Sequence, residues 1–295
     1  MAEKAKSGPA WVYMVRCSGG SLYTGWTDDL EKRLAAHKSG KGAKYTRGFG
    51  AEGFAYTEQL PDKSAALKRE AALKKLSKAK KEALCTAWAA AQHIHLRPVT
   101  VQDTPALRDL YGWYVQNSTA TLQWQTPTVT EYEKWVRATL RKCPFICAED
   151  EEGRILGFAC AHPYHPRESF DWSAETTIYL APDARQQGLG APLYHGLLAL
   201  LYEQGYYTAY AVLADPNPAS EAFHAKLGFT CAARVPGCAF KFGAWCGIST
   251  WALPLRPREG APEPLKKKVP AARARRILAG AGGGASWQQL IGREG

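Results

Sequence analysis

The stretch RQQGLGAPLY, Arg185 to Tyr194, sets two glycines two residues apart behind a basic residue and then runs straight into an apolar helical pattern. Upstream, AETTIYLAP is dense in β-branched and aromatic residues and reads as a strand. Downstream, APLYHGLLALLYEQG places Leu193, Leu197, Leu200 and Leu201 at helical spacing. Such a chain turns from strand to helix over the glycines. Glycine lets backbone N–H groups close on a ligand, and the first turn of a helix adds roughly half a positive charge, so the turn suits phosphate oxygens. It lacks the Gly-Lys-Ser/Thr of a P-loop and the third glycine of a dinucleotide fingerprint. A capping turn with no ligand has the same local sequence, so the surroundings must decide.

At 295 residues the chain can bury two cores. Its charge is uneven: net +8 over 1–90, −3 over 91–255 and +6 over 256–295, making up the +11 of the whole. Polyanion binding therefore belongs to the ends. A composition shift at TAWAAAQHIHLRPVT places a boundary near residue 92, giving units 1–92 and 93–256. PREGAPEPLKKKVPAARARRILAGAGGGAS reads as a basic, disordered tail over 257–295, with Lys266 to Lys268 and Arg273 to Arg276 as a solvated linker or a nucleic-acid contact. No apolar run approaches the roughly 20 residues of a membrane span, and no early stretch joins a basic start to an apolar run. A soluble, reduced, cytoplasmic protein is expected. Cys143 and Cys147 are spaced CxxxC without a second cluster, so no zinc is expected.

Arg185, Gly188 and Gly190 fit R/Q-x-x-G-x-G/A, and NPASEAFHAKLGF follows about 30 residues later as a βα unit requires. Together they resemble the GNAT acetyltransferase superfamily. RESFDWSAETTIYL, RQQGLGAPLYHGLL and KFGAW resemble its phosphinothricin and amino-acid N-acetyltransferase branch, over about residues 94 to 255. The resemblance implies acetyl-CoA, with its pyrophosphate on Arg185, Gln186, Gln187, Gly188, Leu189, Gly190 and Ala191, and pantetheine along Ile178, Tyr179 and Leu180 and against Asn217. It implies Glu175 as the base for an amine, and His224, where many relatives carry a tyrosine, as a proton source for the thiolate or as a packing residue. Arg167 would fork a carboxylate, and Trp124, Lys241 and Trp245 would shape the acceptor end. Cys-Gly follows Trp245 where an aspartate is common one residue on.

In WVYMVRCSGGSLYTGWTDDLEKRLAAHKSGKGAKYTRG, residues 11 to 16 and 21 to 26 read as paired strands and Asp28 to His37 as a helix. Tyr13 and Tyr23 lie on the strands, while Arg33 and His37 share a helical face at i, i+4. One further helix, SAALKREAALKKLSKAKKEAL, carries Glu70 between Leu67 and Leu73 on its inward half. VYM, YTG, Arg33, His37 and Glu70, in this order, resemble the GIY-YIG nucleases, particularly small bacterial single-domain members, over residues 10 to about 86. The resemblance implies one Mg²⁺ or Mn²⁺ on Glu70, Arg33 on the scissile phosphate, and Tyr13, Tyr23 or His37 positioning and deprotonating water. Lys38, Lys41, Lys44 and Arg47 would track DNA phosphates. Val12, Met14 and Thr24 depart from the pattern, and a late asparagine is missing, so binding without cleavage stays open.

The expected fold class is α/β: a small GIY-YIG-like domain, then a GNAT fold with a mixed, mostly antiparallel sheet flanked by helices. The expected activity is acetyl transfer from acetyl-CoA to the amine of a small amino acid or analogue. The alternatives are a nucleic-acid-binding module that brings an acetyltransferase to a macromolecule, and a nuclease with a CoA-sensing partner domain. A homodimer is compatible with either.

Overall fold

A computed structural model describes residues 9–18, 20–92, 94–185 and 188–292. The chain divides into two units between His93 and Ile94. In the first, β1 (Ala10–Cys17) lies between β2 (Leu22–Thr27) and β3 (Ala51–Leu60), antiparallel to both. Helices α1 (Leu30–Lys38), α2 (Lys44–Phe49), α3 (Lys63–Lys74) and α4 (Lys78–Gln92) complete it. Side chains alternate along a strand, so Tyr13 takes one face of β1 while Val12 and Met14 take the other. There Val12 and Met14 form a core with Tyr56, Leu73 and Cys85. The departures around Tyr13 are thus core residues on the far face.

Asp29 caps α1 through the Lys32 N–H and Asp62 caps α3 through the Ala65 N–H, each satisfying a donor that the first turn leaves free. The single helix expected over SAALKREAALKKLSKAKKEAL is instead two. α3 ends at Lys75, whose N–H folds back to the Ala72 carbonyl, and the Ser77 hydroxyl accepts the Lys80 N–H as α4 begins. Serine competes for backbone donors and so favours helix starts over interiors.

The second unit is a seven-stranded mixed sheet with spatial order β4, β5, β6, β7, β8, β10, β9. The strands are β4 (His95–Pro98), β5 (Phe145–Glu149), β6 (Ile155–Pro163), β7 (Ser173–Leu180), β8 (Thr208–Asp215), β9 (Thr230–Lys241) and β10 (Ala244–Pro254). Among the described strands of this sheet, only β7 and β8 run parallel. α5 (Thr104–Asn117) and α6 (Val129–Lys142) enclose one core with Phe145 and Phe158. α7 (Gly190–Gln204) packs in the other, and α8 (Pro218–Lys226) follows β8.

The disordered tail expected over 257–295 is not what the structure holds. α9 (Ala271–Gly282) and α10 (Trp287–Leu290) close the α7 core. Ala274, Ile277, Leu278 and Ala281 fall at i, i+3, i+4 and i+7, so the helix has an apolar stripe despite its basic composition. Gly196 makes room for it: a Cβ there would lie 3.0 Å from Leu278 Cδ2. Polar straps add to this packing, with Arg273 on Glu203, Trp172 Nε1 donating to the Glu263 carbonyl, and Gln204 Nε2 donating to the Lys266 carbonyl. Trp287→Ala is expected to cost about 3 kcal/mol; chemical denaturation of the full chain measures it, and an unchanged midpoint would restore the disordered tail.

Candidate functional site

β7 pairs with β8 only over Ser173–Glu175 against Thr208–Tyr210. Past Glu175 the strands part, and a cleft of about 530 Å³ opens between them. Thr176 to Leu180 line one side and Val212 and Leu213 the other; Gly188 to Ala191, Asn217 and His224 close it. Among the described residues no side chain caps α7 where it starts at Gly190, which leaves its first N–H donors for a ligand. Gly188 has φ +84° with nothing within 4 Å of a built Cβ, so it serves the turn and keeps open space. Gly190 differs: a Cβ there would stand 3.1 Å from the Phe223 ring. Gln186 and Gln187 lie outside the described residues.

The Arg185 guanidinium lies over the rings of Trp113 at 4.5 Å and Tyr114 at 4.8 Å. Its buried Nε and Nη2 have no hydrogen-bond partner among the described residues. A cation held by ring faces with its donors unspent fits an anionic ligand such as pyrophosphate. Asn217 spends Oδ1 on the Ser220 N–H as the cap of α8, which leaves its amide donors for a ligand. Of Ile178, Tyr179 and Leu180, the last is already engaged: Tyr114 Oη accepts from the Leu180 N–H and donates to its carbonyl.

A second pocket, of about 380 Å³, lies along the same strand. Thr177 and Tyr179 line both cavities; Tyr111, Tyr132, Trp135, Gln123 and His162 line only the second. Glu175 stands opposite His162 in the β6–β7 register, with its Oε1 3.7 Å from His162 Nε2. Burial raises the Glu175 pKa, and the charge of His162 acts against this. These aromatics and His162, which line the second cavity, were not among the residues expected from the sequence. Their one sequence signal is the HPYH segment at the end of β6, whose first histidine meets Glu175 only through strand register.

The four residues expected at the acceptor end do not line either cavity. Trp124 and Trp245 are exposed and flank Phe240, and Arg167 is exposed. Lys241 is 3% exposed and donates from Nζ to the carbonyls of Ser118 and Thr121, at 2.7 Å each. Burial lowers its pKa. Lysine here is a strut: it holds the segment that gives Ser118 and Ala120 to the cofactor cleft.

In the first unit, Tyr13, Arg33 and His37 do come together. Tyr13 Oη accepts from Arg33 Nε at 2.8 Å and lies 2.8 Å from His37 Nε2. Thr46 Oγ1 donates to the Ala43 carbonyl, so His37 Nδ1, 2.7 Å away, is the N–H that donates to Thr46. Nε2 is then the acceptor for the Tyr13 proton. Burial raises the Tyr13 pKa, against the Arg33 hydrogen bond, and lowers that of His37, with Arg33 adding to it. The resting pair is therefore neutral phenol and neutral imidazole. Tyr23 stacks near Tyr45, which with Phe49 forms an exposed aromatic face. Glu70 bonds Lys74 Nζ at 2.7 Å, has a side chain 14% exposed, and is near enough to Tyr13 to act on its charge.

Residues 9–83 match the GIY-YIG catalytic domain and residues 107–229 the acetyltransferase (GNAT) family. Over 173 residues the chain is 31% identical to a phosphinothricin N-acetyltransferase of Streptomyces viridochromogenes, covering 57% of this chain and 94% of that one. The chain belongs to the GNAT acetyltransferase family. This GNAT protein also carries a GIY-YIG domain: over 73 residues it is 49% identical to a UPF0213 protein of Halobacterium salinarum, covering 25% of this chain and 95% of that one. A GNAT superfamily phosphinothricin acetyltransferase from Sinorhizobium meliloti, solved in complex with acetyl-CoA, superposes with a TM-score of 0.56 at 27% identity. The match covers 61% of this chain and 97% of that chain. The second unit is a GNAT N-acetyltransferase.

Gly25, the glycine of YTG, explains itself in this geometry: a Cβ there would lie 2.5 Å from Tyr13 Oη. Gly25→Ala is expected to push the phenol off His37 and to destabilise the protein by about 1–3 kcal/mol. Thermal unfolding together with the His37 imidazole ¹⁵N shifts measures both effects; unchanged shifts would separate Gly25 from Tyr13.

Proposed function

We propose that the second unit moves the acetyl group of acetyl-CoA to the amine of a small amino acid or analogue of phosphinothricin type. The observation that carries this reading is β7 itself, whose Thr177 and Tyr179 face both cavities. A thioester laid along one side would meet an amine entering from the other. Arg185 and the turn at Gly188 to Ala191 would hold the pyrophosphate, Asn217 and the main chain of Ile178 and Tyr179 the pantetheine arm, and Tyr111, Trp135 and His162 the acceptor. Glu175, beside the second pocket, would take the amine proton. Its burial favours the neutral acid, so the carboxylate that works as base is present only above a raised pKa.

Gly188→Val forces a β-branched side chain onto a positive φ at the cleft and should weaken acetyl-CoA binding; calorimetry with the folded variant measures this. Undiminished affinity would remove the turn from the cofactor site. Glu175→Gln should lower kcat about a hundredfold or more. The wild-type rate should fall as pH drops through the raised pKa, and the variant should lose that limb. An unaltered pH–rate profile would end the role of Glu175 as base.

For the first unit we propose a divalent-metal nuclease. Arg33 would hold the phosphate, and His37 would take the Tyr13 proton as Tyr13 activates water. The donor set is one carboxylate, Glu70, which fits a hard cation that keeps most of its own waters; the exposed Lys74 must swing aside to admit it. Bound there, Mg²⁺ or Mn²⁺ would supply charge neutralisation at the phosphate. Glu70→Ala should abolish magnesium-dependent cutting while nucleic-acid binding persists and weakens with salt. Binding without cutting of single-stranded, flapped or branched DNA by the wild type would leave a binding module that serves the acetyltransferase.

A further inference from the structure

Two aromatic side chains of α2 stand in water. Tyr45 is 41% exposed and Phe49 53%, and at i, i+4 they share a helical face, with ring centroids 4.8 Å apart. Between them in sequence, Thr46 is buried and lies 2.7 Å from His37 Nδ1, so the bond that sets the His37 tautomer also anchors α2. The rings continue inward as a ladder. Tyr45 stacks near Tyr23, with centroids 6.3 Å and planes 25° apart, and Tyr23 lies 6.4 Å from Tyr13, whose hydroxyl accepts from Arg33. Single exposed apolar residues are ordinary on a protein surface, whereas this pair is continuous with the Tyr13 site. The chain around it carries one sign of charge: from Lys32 through Ala51 it has six lysines and arginines and no Asp or Glu. Of these Lys38, Lys41, Lys44 and Arg47 are exposed. A basic stretch that presents ring faces fits a ligand that is anionic and carries flat rings of its own, as a nucleic-acid strand does.

We propose that Tyr45 and Phe49 are a stacking platform for one unpaired nucleobase of the strand whose phosphate Arg33 holds, with Lys41, Lys44 and Arg47 on neighbouring phosphates. It rests on the nucleic-acid reading of the first unit above. The ladder gives the place of that base: only Tyr23 stands between the platform and the Tyr13 ring, so the base lies beside the scissile phosphate. A base inside a closed duplex has both faces covered by its neighbours and shows the grooves only its edges, so it does not lie on the platform. A base in a single strand, flap or loop has a face to offer. The platform thereby selects the state of the strand and not its sequence, because every base has a π-face. Tyr45 and Phe49 position the strand and touch no reacting atom.

The test uses the full chain in EDTA, which holds off metal-dependent cutting, and a short pyrimidine oligonucleotide with a central 2-aminopurine, whose fluorescence falls when the base stacks. Wild-type binding should quench it. Phe49→Ala and Phe49→Leu should each weaken binding about tenfold and lose the quench, since leucine keeps apolar surface without a ring, and Phe49→Trp should keep both. Affinity for a blunt duplex of the same sequence should hold in all three, and so should the slope of log affinity against log salt, because no charge is removed. Arg47→Ala should flatten that slope by one phosphate's share. Tyr45→Ala should act as Phe49→Ala does; should it fail to fold, the Phe49 variants decide alone. Wild-type affinity and quench in Phe49→Leu would overturn the platform while leaving the phosphate site at Arg33 intact. An equal loss for oligonucleotide and duplex would overturn it as a defect of the fold. Binding to phosphatidylserine vesicles and to neither DNA would make the face a lipid contact and end the proposal. A wild type that binds no DNA would sink the nucleic-acid reading and the platform with it.

Discussion

The parting of β7 from β8 just after Glu175 governs the chemistry of the second unit. A strand that loses its neighbour must place its N–H and C=O groups elsewhere. Thr176 straps the apex through the Tyr210 carbonyl, and Tyr114 serves both groups of Leu180. What lies between is left for a ligand that pairs as a strand would. Because side chains alternate, Thr176 and Ile178 turn toward the α7 core while Thr177 and Tyr179 reach the second pocket. One strand, paired with β6 and parted from β8, thereby borders both cavities.

Each unit buries a histidine between hydrogen-bond partners. Around His37 the hydrogens suffice: Arg33 gives to Tyr13, Tyr13 to Nε2, Nδ1 to Thr46 and Thr46 to Ala43, with the ring neutral. That arrangement fixes the His37 tautomer, with Nε2 as the acceptor for the Tyr13 hydroxyl. Around His224 burial also holds the pKa down, with Nδ1 against the Ser220 carbonyl and Nε2 against the Tyr194 hydroxyl.

What was legible in the sequence was local. The strand, the glycine turn and α7 follow from residues within about one turn of each other, and Asn217 caps the helix that its own neighbours build. Tyr13, Arg33 and His37 were legible because register across one hairpin and i, i+4 spacing bring them together. The aromatic pocket was not, since Tyr111, Tyr132 and Trp135 come from α5 and α6 and His162 from β6, a juxtaposition no window contains. Lys241 was misplaced because a motif position does not reveal that two carbonyls wait for its ammonium. The helices after residue 270 were hidden by composition: arginines and glycines set the average, while the spacing of Ala274, Ile277, Leu278 and Ala281 sets the structure.

α9 and α10 follow every other element of their unit in chain order, yet they cover the back of α7, the helix whose first turn closes the cofactor cleft. During synthesis a chain emerges from its first residue onward, at about 5–20 residues per second. The first unit, with its own core in residues 10–92, has all its parts long before Ile277, Leu278 and Trp287 leave the ribosome. The leucine face of α7 therefore stays uncovered until residues 271–290 have been made, and only then is the helix that closes the cleft packed on its back.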